Sequence, residues 1–215
     1  MSEFGSLQND AVTFFNALAD NNKREWWQEH KATYDTQLKA PALALLDQLT
    51  PPLSKLADAP IKSKLFRPHR DVRFSKDKTP YNTHLHMMWQ IDSDAPQNPV
   101  FFFGIGRSYT TVGVGMMGFD KPVLANWRKM VDLDTDRILG IVNGVKDQGF
   151  TLREPVLKRV PSPYDPDHKA GHLLRMKGLT ASRELDQITD LKGQIMDTFT
   201  AAWPINALLI SIAEA

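Results

Sequence analysis

Positive charge is concentrated in one stretch of the chain, Arg67-Pro-His-Arg-Asp-Val-Arg-Phe-Ser-Lys-Asp-Lys-Thr-Pro-Tyr81. Residues 62–81 hold seven Lys or Arg side chains and two Asp, whereas the whole chain carries a formal net charge of +1. Guanidinium and ammonium groups bind carboxylates and phosphates through charge-assisted hydrogen bonds. The stretch is therefore the first candidate for anion recognition. A near-neutral chain without a recognised nucleic-acid-binding motif does not favour nucleic acid as its partner.

The spacing within this stretch leaves two interpretations open. If the backbone around Asp71 is extended, then Arg67, His69, Asp71 and Arg73 share one face, and Arg70 lies on the other. The carboxylate can then bridge guanidinium groups in a closed ion network. Alternatively, the arginine donors stay open to a carboxylate or phosphate ligand.

A predicted turn at residues 75–79 follows, and its lysines, hydroxyls and backbone N–H groups can form an anion-binding concavity. The chain then re-enters a strand at Pro80, which places the Tyr81 phenol near the turn. His69 and His86 are candidate acid–base groups beside Tyr81, because imidazole titrates near neutral pH.

Two further patterns look like cofactor sites but lack the required context. His84 and His86 would share a strand face, but the chain has no cysteine and no recognised ligand spacing, so no metal site is predicted. The run Gly113-Val-Gly-Met-Met-Gly118 matches a dinucleotide-binding pattern, but its strand belongs to a meander rather than to a βαβ unit. These glycines are expected to allow a bulge or close packing beneath Trp127. The residues name no cofactor.

Helical periodicity occupies both ends of the chain. Three helices are expected in the first sixty residues, the first capped by Asn9 or Asp10 and the third ended by Thr50-Pro-Pro52. One of the adjacent Trp26 and Trp27 is expected in the core and the other beside a groove. Two helices are predicted within 120–148 and one over 184–202, where Pro204 would interrupt it.

Strand patterns fill the middle of the chain. Residues 79–90 alternate between apolar and polar, and short apolar runs follow at 100–105 and 109–116. Further extended segments are expected at 150–160 and 172–180. Short connections favour antiparallel pairing. The sequence therefore predicts an α+β fold, a central mostly antiparallel sheet with flanking helices, as a single domain over 1–215 with residues 1–6 as a flexible tail.

Composition and patterning indicate a cytoplasmic protein. The hydrophobic fraction is 42% and the charged fraction 24%, which are ordinary values for a globular chain. The absence of cysteine fits a reducing compartment. No leader pattern and no continuous apolar run of membrane-spanning length is found, so no membrane partner is predicted.

Four segments of the chain, taken together, are similar to a known family. They are Asn21-Asn-Lys-Arg-Glu-Trp26, Arg70-Asp-Val-Arg-Phe-Ser-Lys-Asp-Lys-Thr-Pro-Tyr-Asn-Thr83, Leu157-Lys-Arg-Val-Pro161 and His172-Leu-Leu-Arg-Met-Lys-Gly178. They resemble a family of conserved hypothetical proteins, the domain of unknown function 2461, from about residue 9 to 210. The resemblance implies a single α+β domain in a cytoplasmic protein and carries no established activity. It also places Arg159 and Arg175 in the distal motifs.

Two function hypotheses follow. The first is binding, with or without turnover, of a small anionic ligand that bears phosphate or carboxylate. The second is a non-enzymatic protein in which the motif is a structural ion-pair network and function runs through a protein partner. In the first, Arg70, Arg73, Lys76 and Lys78 hold the anion, Arg159 and Arg175 assist, Asp71 orients an arginine, and Tyr81 or His86 donates a proton.

Overall fold

Six strands form one antiparallel sheet in the computed structural model, which describes residues 4–215. Their spatial order is β1-β2-β3-β4-β6-β5. The first four strands are neighbours in the order in which the chain visits them, which confirms the meander. The strands are β1 (Ile61–Leu65), β2 (Leu85–Ile91), β3 (Val100–Ile105), β4 (Thr110–Met116), β5 (Thr151–Leu152) and β6 (Leu179–Glu184).

Helices flank this sheet, and the two longest pack directly on it, α3 against β1 and β2 and α7 against β4. A π-helical segment, Tyr34–Lys39, joins α2 to α3. The predicted single-domain α+β fold is therefore confirmed. In the described residues the helices are α1 (Leu7–Asp20), α2 (Arg24–Thr33), α3 (Ala40–Ala57), α4 (Lys121–Leu133), α5 (Thr135–Lys146), α6 (Gly171–Leu174) and α7 (Leu191–Ala213).

The two faces of the sheet have different environments. Side chains along β2 alternate strictly between buried and partly exposed, as the sequence pattern predicts. On the buried face, Trp89 packs against Phe199 of α7 and donates its indole N–H to the Leu46 carbonyl of α3. On the other face, His86 and Met88 are partly exposed.

The strand expected over 79–90 begins only at Leu85. Upstream of it, Tyr81 forms a single isolated bridge with His69. The Tyr81 N–H and carbonyl are both bonded to the side-chain amide of Asn22, which replaces the backbone partner that a longer strand would need. The predicted start of this strand at residue 79 was therefore wrong, because the Asn22 side-chain amide occupies the Tyr81 backbone groups.

The N-terminal helix begins earlier than expected, at Leu7, and neither Asn9 nor Asp10 caps it. Phe4 is 4% exposed and belongs to the core. Of the expected tail of residues 1–6, residues 1–3 lie outside the described residues, and burial of Phe4 shows that the remainder is not a free tail.

Three internal prolines do not end their helices where the sequence suggested. α3 contains Pro51 and Pro52 and continues to Ala57, and α7 contains Pro204 and continues to Ala213. Each proline removes one backbone hydrogen bond. Fully buried neighbours, such as Leu53 and Ile205, keep both helices packed on the core, so tertiary burial outweighs the local penalty.

Two of the expected extended segments are also shifted. Only Thr151–Leu152 of the segment 150–160 pairs in the sheet, because Pro155 interrupts it. Part of the segment 172–180 lies in α6, and the strand starts at Leu179.

The glycine run of β4 serves close strand packing. Gly115 has φ +123°, and an added Cβ would lie 2.1 Å from the Leu179 carbonyl oxygen. The run therefore packs against β6, whereas packing beneath Trp127 was expected.

The last helix, α7, is long and apolar enough to cross a membrane by length and composition, with a mean hydropathy of 1.3. Pro204 does not divide it, which is why the sequence pattern underestimated its length. Half of the apolar window is buried inside the domain, where Ile195, Phe199 and Leu209 are fully covered. Its apolar character is therefore that of a core helix of a soluble globular domain.

Candidate functional site

The cationic loop, residues 66–80, is anchored to the start of α2. The Asn22 side chain donates to the Tyr81 carbonyl at 2.9 Å and accepts the Tyr81 N–H at 3.1 Å. The Tyr81 ring stacks on Trp27 with a centroid distance of 4.5 Å, and His69 lies edge-on to both rings. Two of the segments that resemble the family are thus joined in space, although they are 59 positions apart in the chain.

Inside the loop, one terminal nitrogen of the Arg70 guanidinium, Nη1, makes several short-range bonds. It donates to an Asp77 carboxylate oxygen at 2.6 Å and to the Thr79 carbonyl at 3.0 Å, and it also contacts the Thr79 hydroxyl. Hydrogen bonds from the Thr79 backbone N–H and from Arg70 hold the pKa of the Asp77 carboxyl at about 2. This carboxylate therefore ties both ends of the turn together at neutral pH.

A second ion pair lies next to the first. The Arg73 Nε and Nη2 donate to the two Asp71 oxygens at 2.9 and 2.6 Å, in a bidentate arrangement. These bonds lower the pKa of the Asp71 carboxyl. The Lys78 ammonium donates to the Val72 carbonyl at 3.0 Å. Lys76 is exposed and forms no ion pair within residues 4–215.

The expected extended face around Asp71 is absent in the described loop. Arg70 and Arg73 pair with different carboxylates, and the loop turns back on itself, with the Ser75 N–H bonded to the Val72 carbonyl. An extended backbone would separate these donors and acceptors. The prediction of one face with several arginines around one aspartate was therefore wrong.

The distal arginines do not join this loop. Arg159 and Arg175 line a different cavity of about 450 Å³, together with His168 and His172. Arg175 precedes β6, whereas the cationic loop follows β1, and the two strands are separated by four strand spacings, roughly 19 Å. A single cationic pocket built from all four arginines is therefore ruled out by the sheet order.

The three candidate catalytic side chains are also dispersed. Asp71 is exposed in its pair with Arg73, and the Tyr81 ring is buried against Trp27. His86 lies on the open face of β2, with its Nε2 2.8 Å from the Tyr109 hydroxyl. Among the described residues no hydrogen bond connects Asp71, Tyr81 and His86, so they do not form a unit.

A cleft of about 380 Å³ lies beside the anchored loop, between the helical stretch 27–43 and the residues that end β1. Its volume is within the range of small-molecule sites. We call it the aromatic cleft. Its apolar lining is Trp27, Tyr34, Leu43, Leu65, Phe66 and Pro68, and its polar lining is Lys31, Asp35, Lys39, Arg67 and His69.

The π-helical segment forms one wall of the aromatic cleft. Pro41 cannot donate a backbone hydrogen bond, and its ring would clash with the carbonyl four positions earlier, at Gln37, in a regular helix. The widened turn lies at that point. It places Tyr34, Asp35 and Lys39 toward the cleft. Burial, with a contribution from Asp35, raises the pKa of the Tyr34 phenol to about 12.

Positive charge exceeds negative charge around this cleft. Lys31 and Lys39 both pair with Asp35, the second at 3.9 Å. Arg67 forms no hydrogen bond or ion pair within residues 4–215, and its charge acts at a distance to lower the pKa of Asp71. Its guanidinium is therefore the free donor of this site.

Sequence reasoning included Arg67 and His69 but missed the opposite wall. Trp27, Lys31, Asp35 and Lys39 are spaced by four residues, the spacing of one helical face. That repeat was a usable signal. The π-helical widening, which keeps this face aligned, was not predicted, although Pro41 at the start of α3 accounts for it.

The described residues lack the ligand sets that metal ions need. The described part of the chain contains no group of three or more His, Cys, Asp or Glu side chains that could hold a metal ion. His84 and His86 stack on each other with a centroid distance of 3.7 Å, which is a ring contact rather than a chelating arrangement.

Comparison with known proteins identifies the family and no activity. The family model described as conserved hypothetical protein (DUF2461) matches residues 10–210. The chain belongs to that family. No curated protein matches the chain.

Proposed function

We propose that this member of the conserved hypothetical protein family DUF2461 binds a small organic anion in the aromatic cleft. The ligand would carry a carboxylate or phosphate group on an apolar body. The observation that carries this proposal is the free Arg67 guanidinium at the edge of a cleft with aromatic and aliphatic walls. A guanidinium recognises planar or tetrahedral oxyanions, and the apolar walls would cover the rest of the ligand.

The cleft offers each part of such a ligand a matching surface. Leu43 and Phe66 are 42% and 36% exposed, so apolar area remains uncovered at the cleft. Lys31 and Lys39 share one carboxylate, Asp35, and add net positive potential opposite Arg67. The cationic loop would then act as the scaffold of one wall, because Arg70 and Arg73 are each paired with an aspartate and Lys78 donates to a backbone carbonyl of the loop.

A thermal-shift comparison tests this proposal with phenyl phosphate, benzoate and inorganic phosphate. A probe at a hundredfold excess over its dissociation constant stabilises the protein by about 2.7 kcal/mol. Benzoate should stabilise the wild type and the control Arg73→Ala, but not Arg67→Ala, and phenyl phosphate should stabilise Arg67→Ala less than the wild type. Equal stabilisation of Arg67→Ala, or no stabilisation of the wild type by either phenyl probe, would overturn the proposal.

A protein partner is the second candidate, and one observation favours it. Phe74, in the cationic loop, is 96% exposed, with the Arg73 guanidinium 5.8 Å from its ring centroid. An exposed aromatic next to arginine is the type of pair that anchors protein interfaces. Phe74→Ala should abolish capture of such a partner and leave binding of phenyl phosphate unchanged.

We further propose a cytoplasmic location. The chain has no cysteine and therefore cannot form a disulfide, which fits a reducing compartment, where disulfides are rare. Fractionation of the cells that produce the protein, with the protein followed by antibody, would test this, and recovery outside the cytoplasmic fraction would contradict it.

A further inference from the structure

A second cavity, of about 460 Å³, lies away from the aromatic cleft, where α1 meets the turn between β3 and β4 and the residues just before β2. Six side chains line it, each of them carries a hydrogen-bond donor, and none is a carboxylate. We call it the donor cavity. Its lining is Asn16, Thr83, His84, Arg107, Ser108 and Tyr109.

Arg107 supplies the charge of the donor cavity. Its Nε donates to the Asn16 side-chain oxygen at 2.9 Å, which attaches the guanidinium to α1. That bond occupies the side-chain oxygen of Asn16 and the Nε of Arg107. Within residues 4–215 the two terminal guanidinium nitrogens and the Asn16 amide nitrogen form no hydrogen bond. The bond between Arg107 and Asn16 thus orients these three nitrogen donors, which remain available to a ligand.

The opposite side of the donor cavity is fixed by ring packing. The Tyr109 ring lies against Gly106, where an added Cβ would come within 2.1 Å of the ring. Its hydroxyl is 2.8 Å from His86 Nε2, and the His86 ring stacks on His84. These contacts place the Tyr109 phenol and the His84 imidazole on a rigid strand–turn platform rather than on a free loop.

The protonation states also suit an anion. Burial and the Glu184 charge raise the pKa of the Tyr109 phenol, so it keeps its proton at neutral pH. Burial and the neighbouring His84 lower the pKa of His86 to about 4, so its imidazole is neutral. A neutral imidazole can donate its Nε2–H to the phenol oxygen, which leaves the phenol O–H to donate into the cavity.

We propose that the donor cavity binds a tetrahedral oxyanion, as free phosphate or as a phosphate monoester, through Arg107, Asn16, Ser108 and Tyr109. Terminal guanidinium nitrogens, an amide nitrogen and two hydroxyls would surround the anion, and no carboxylate is among the lining side chains. The donor cavity lacks the aliphatic walls of the aromatic cleft, so it selects the anion itself rather than an apolar body. This inference is independent of the function proposed for the aromatic cleft.

The test is a titration with inorganic phosphate, followed by isothermal calorimetry and by the side-chain NMR signals of His84. Phosphate should bind the wild type and shift the His84 signals. Arg107→Gln should weaken binding by at least about tenfold, because it removes the charge-assisted bonds. Tyr109→Phe keeps the ring on Gly106 and should weaken binding by roughly fivefold, the effect of one neutral hydrogen bond.

Matched controls separate this site from the aromatic cleft. Arg67→Ala should bind inorganic phosphate as the wild type does, whereas Arg107→Gln should bind benzoate as the wild type does. Phenyl phosphate and a sugar phosphate, used in place of inorganic phosphate, distinguish a monoester from the free ion. Unchanged His84 signals at saturating phosphate, or equal phosphate affinity of Arg107→Gln and the wild type, would overturn the proposal.

Discussion

The cationic loop contributes residues 66–69 to the aromatic cleft, and its remaining part, residues 70–80, uses its charges in the opposite way. In the loop, Arg70 and Arg73 are each bonded to an aspartate, and Lys78 donates to a backbone carbonyl. In the cleft, Arg67 keeps its donors, and Lys31 and Lys39 share a single carboxylate. Two arginines of the charge-dense loop are therefore held in ion pairs, whereas the arginine that lines the cleft has no ion pair in the described residues.

This difference shows that a high density of positive charge does not by itself make a binding site. A guanidinium that already donates to a carboxylate must lose that bond before it binds a ligand, whereas a free one does not. The loop network holds the backbone of residues 70–79 in place, and residues 67–69 at its start face the cleft. The following predictions test this division, from the largest expected effect to the smallest.

Asn22→Ala should have the largest effect, because it removes the anchor of the loop. The buried Tyr81 would lose partners for its N–H and its carbonyl, at a cost of about 2 kcal/mol in the free energy of unfolding. Urea denaturation measures this. The neighbouring Asn21→Ala is the matched control, because that side chain makes one exposed bond to the Ala17 carbonyl. Equal losses from the two variants would contradict the anchoring role.

Acidification should loosen the loop through Asp77. Its pKa is lowered from 3.8 to about 2 in the folded protein, so its stabilising bonds are fully present above pH 3.8 and are lost as the pH falls through about 2. The Thr79 amide NMR signal should move over that range in the wild type. In Asp77→Asn it should be displaced already at pH 6 and should not titrate. A Thr79 midpoint near pH 4 in the wild type would contradict the network.

Arg67→Ala should change ligand binding and leave stability almost intact. Because the guanidinium has no hydrogen-bond partner in the described residues, its removal should alter the free energy of unfolding by less than about 0.5 kcal/mol. Chemical denaturation of the unliganded variant measures this. A loss as large as that of Asn22→Ala would mean that Arg67 is a structural residue and that the division between loop and cleft fails.

Arg73→Ala should have the smallest effect. Its ion pair with Asp71 lies on the surface, with 76% and 47% of the two side chains exposed, and such pairs are strongly screened by water. The melting temperature and the affinity for phenyl phosphate should both match the wild type. A clear loss of affinity in this variant would return the binding site to the cationic loop.

Local patterns were sufficient to predict the strands β2 to β4 but not the loop. The alternation over residues 79–90 predicted β2, because one face of that strand is buried along its whole length. The loop depends on Asn22, whose side-chain amide competes with strand pairing from 59 positions away. No periodicity can signal a contact between one side chain and a distant backbone.

The same reason explains what was missed at the site. The four-residue repeat from Trp27 to Lys39 was readable as a helical face, but its counterpart, residues 65–69, is irregular in sequence. The distal Arg159 and Arg175 were grouped with the loop on resemblance alone, and the strand order places them near the far edge of the sheet. Pairing along the sheet is a tertiary property that single-sequence patterns do not encode.

The most direct test of the central claim is the position of a bound probe. Nuclear Overhauser contacts should be measured between the ring protons of phenyl phosphate and the protein, in the wild type and in Arg67→Ala. Contacts to Trp27, Tyr34 and Phe66 in the wild type, lost in the variant, are the result that a ligand in the aromatic cleft predicts. Contacts to Phe74 instead, or cleft contacts that persist without Arg67, would contradict it.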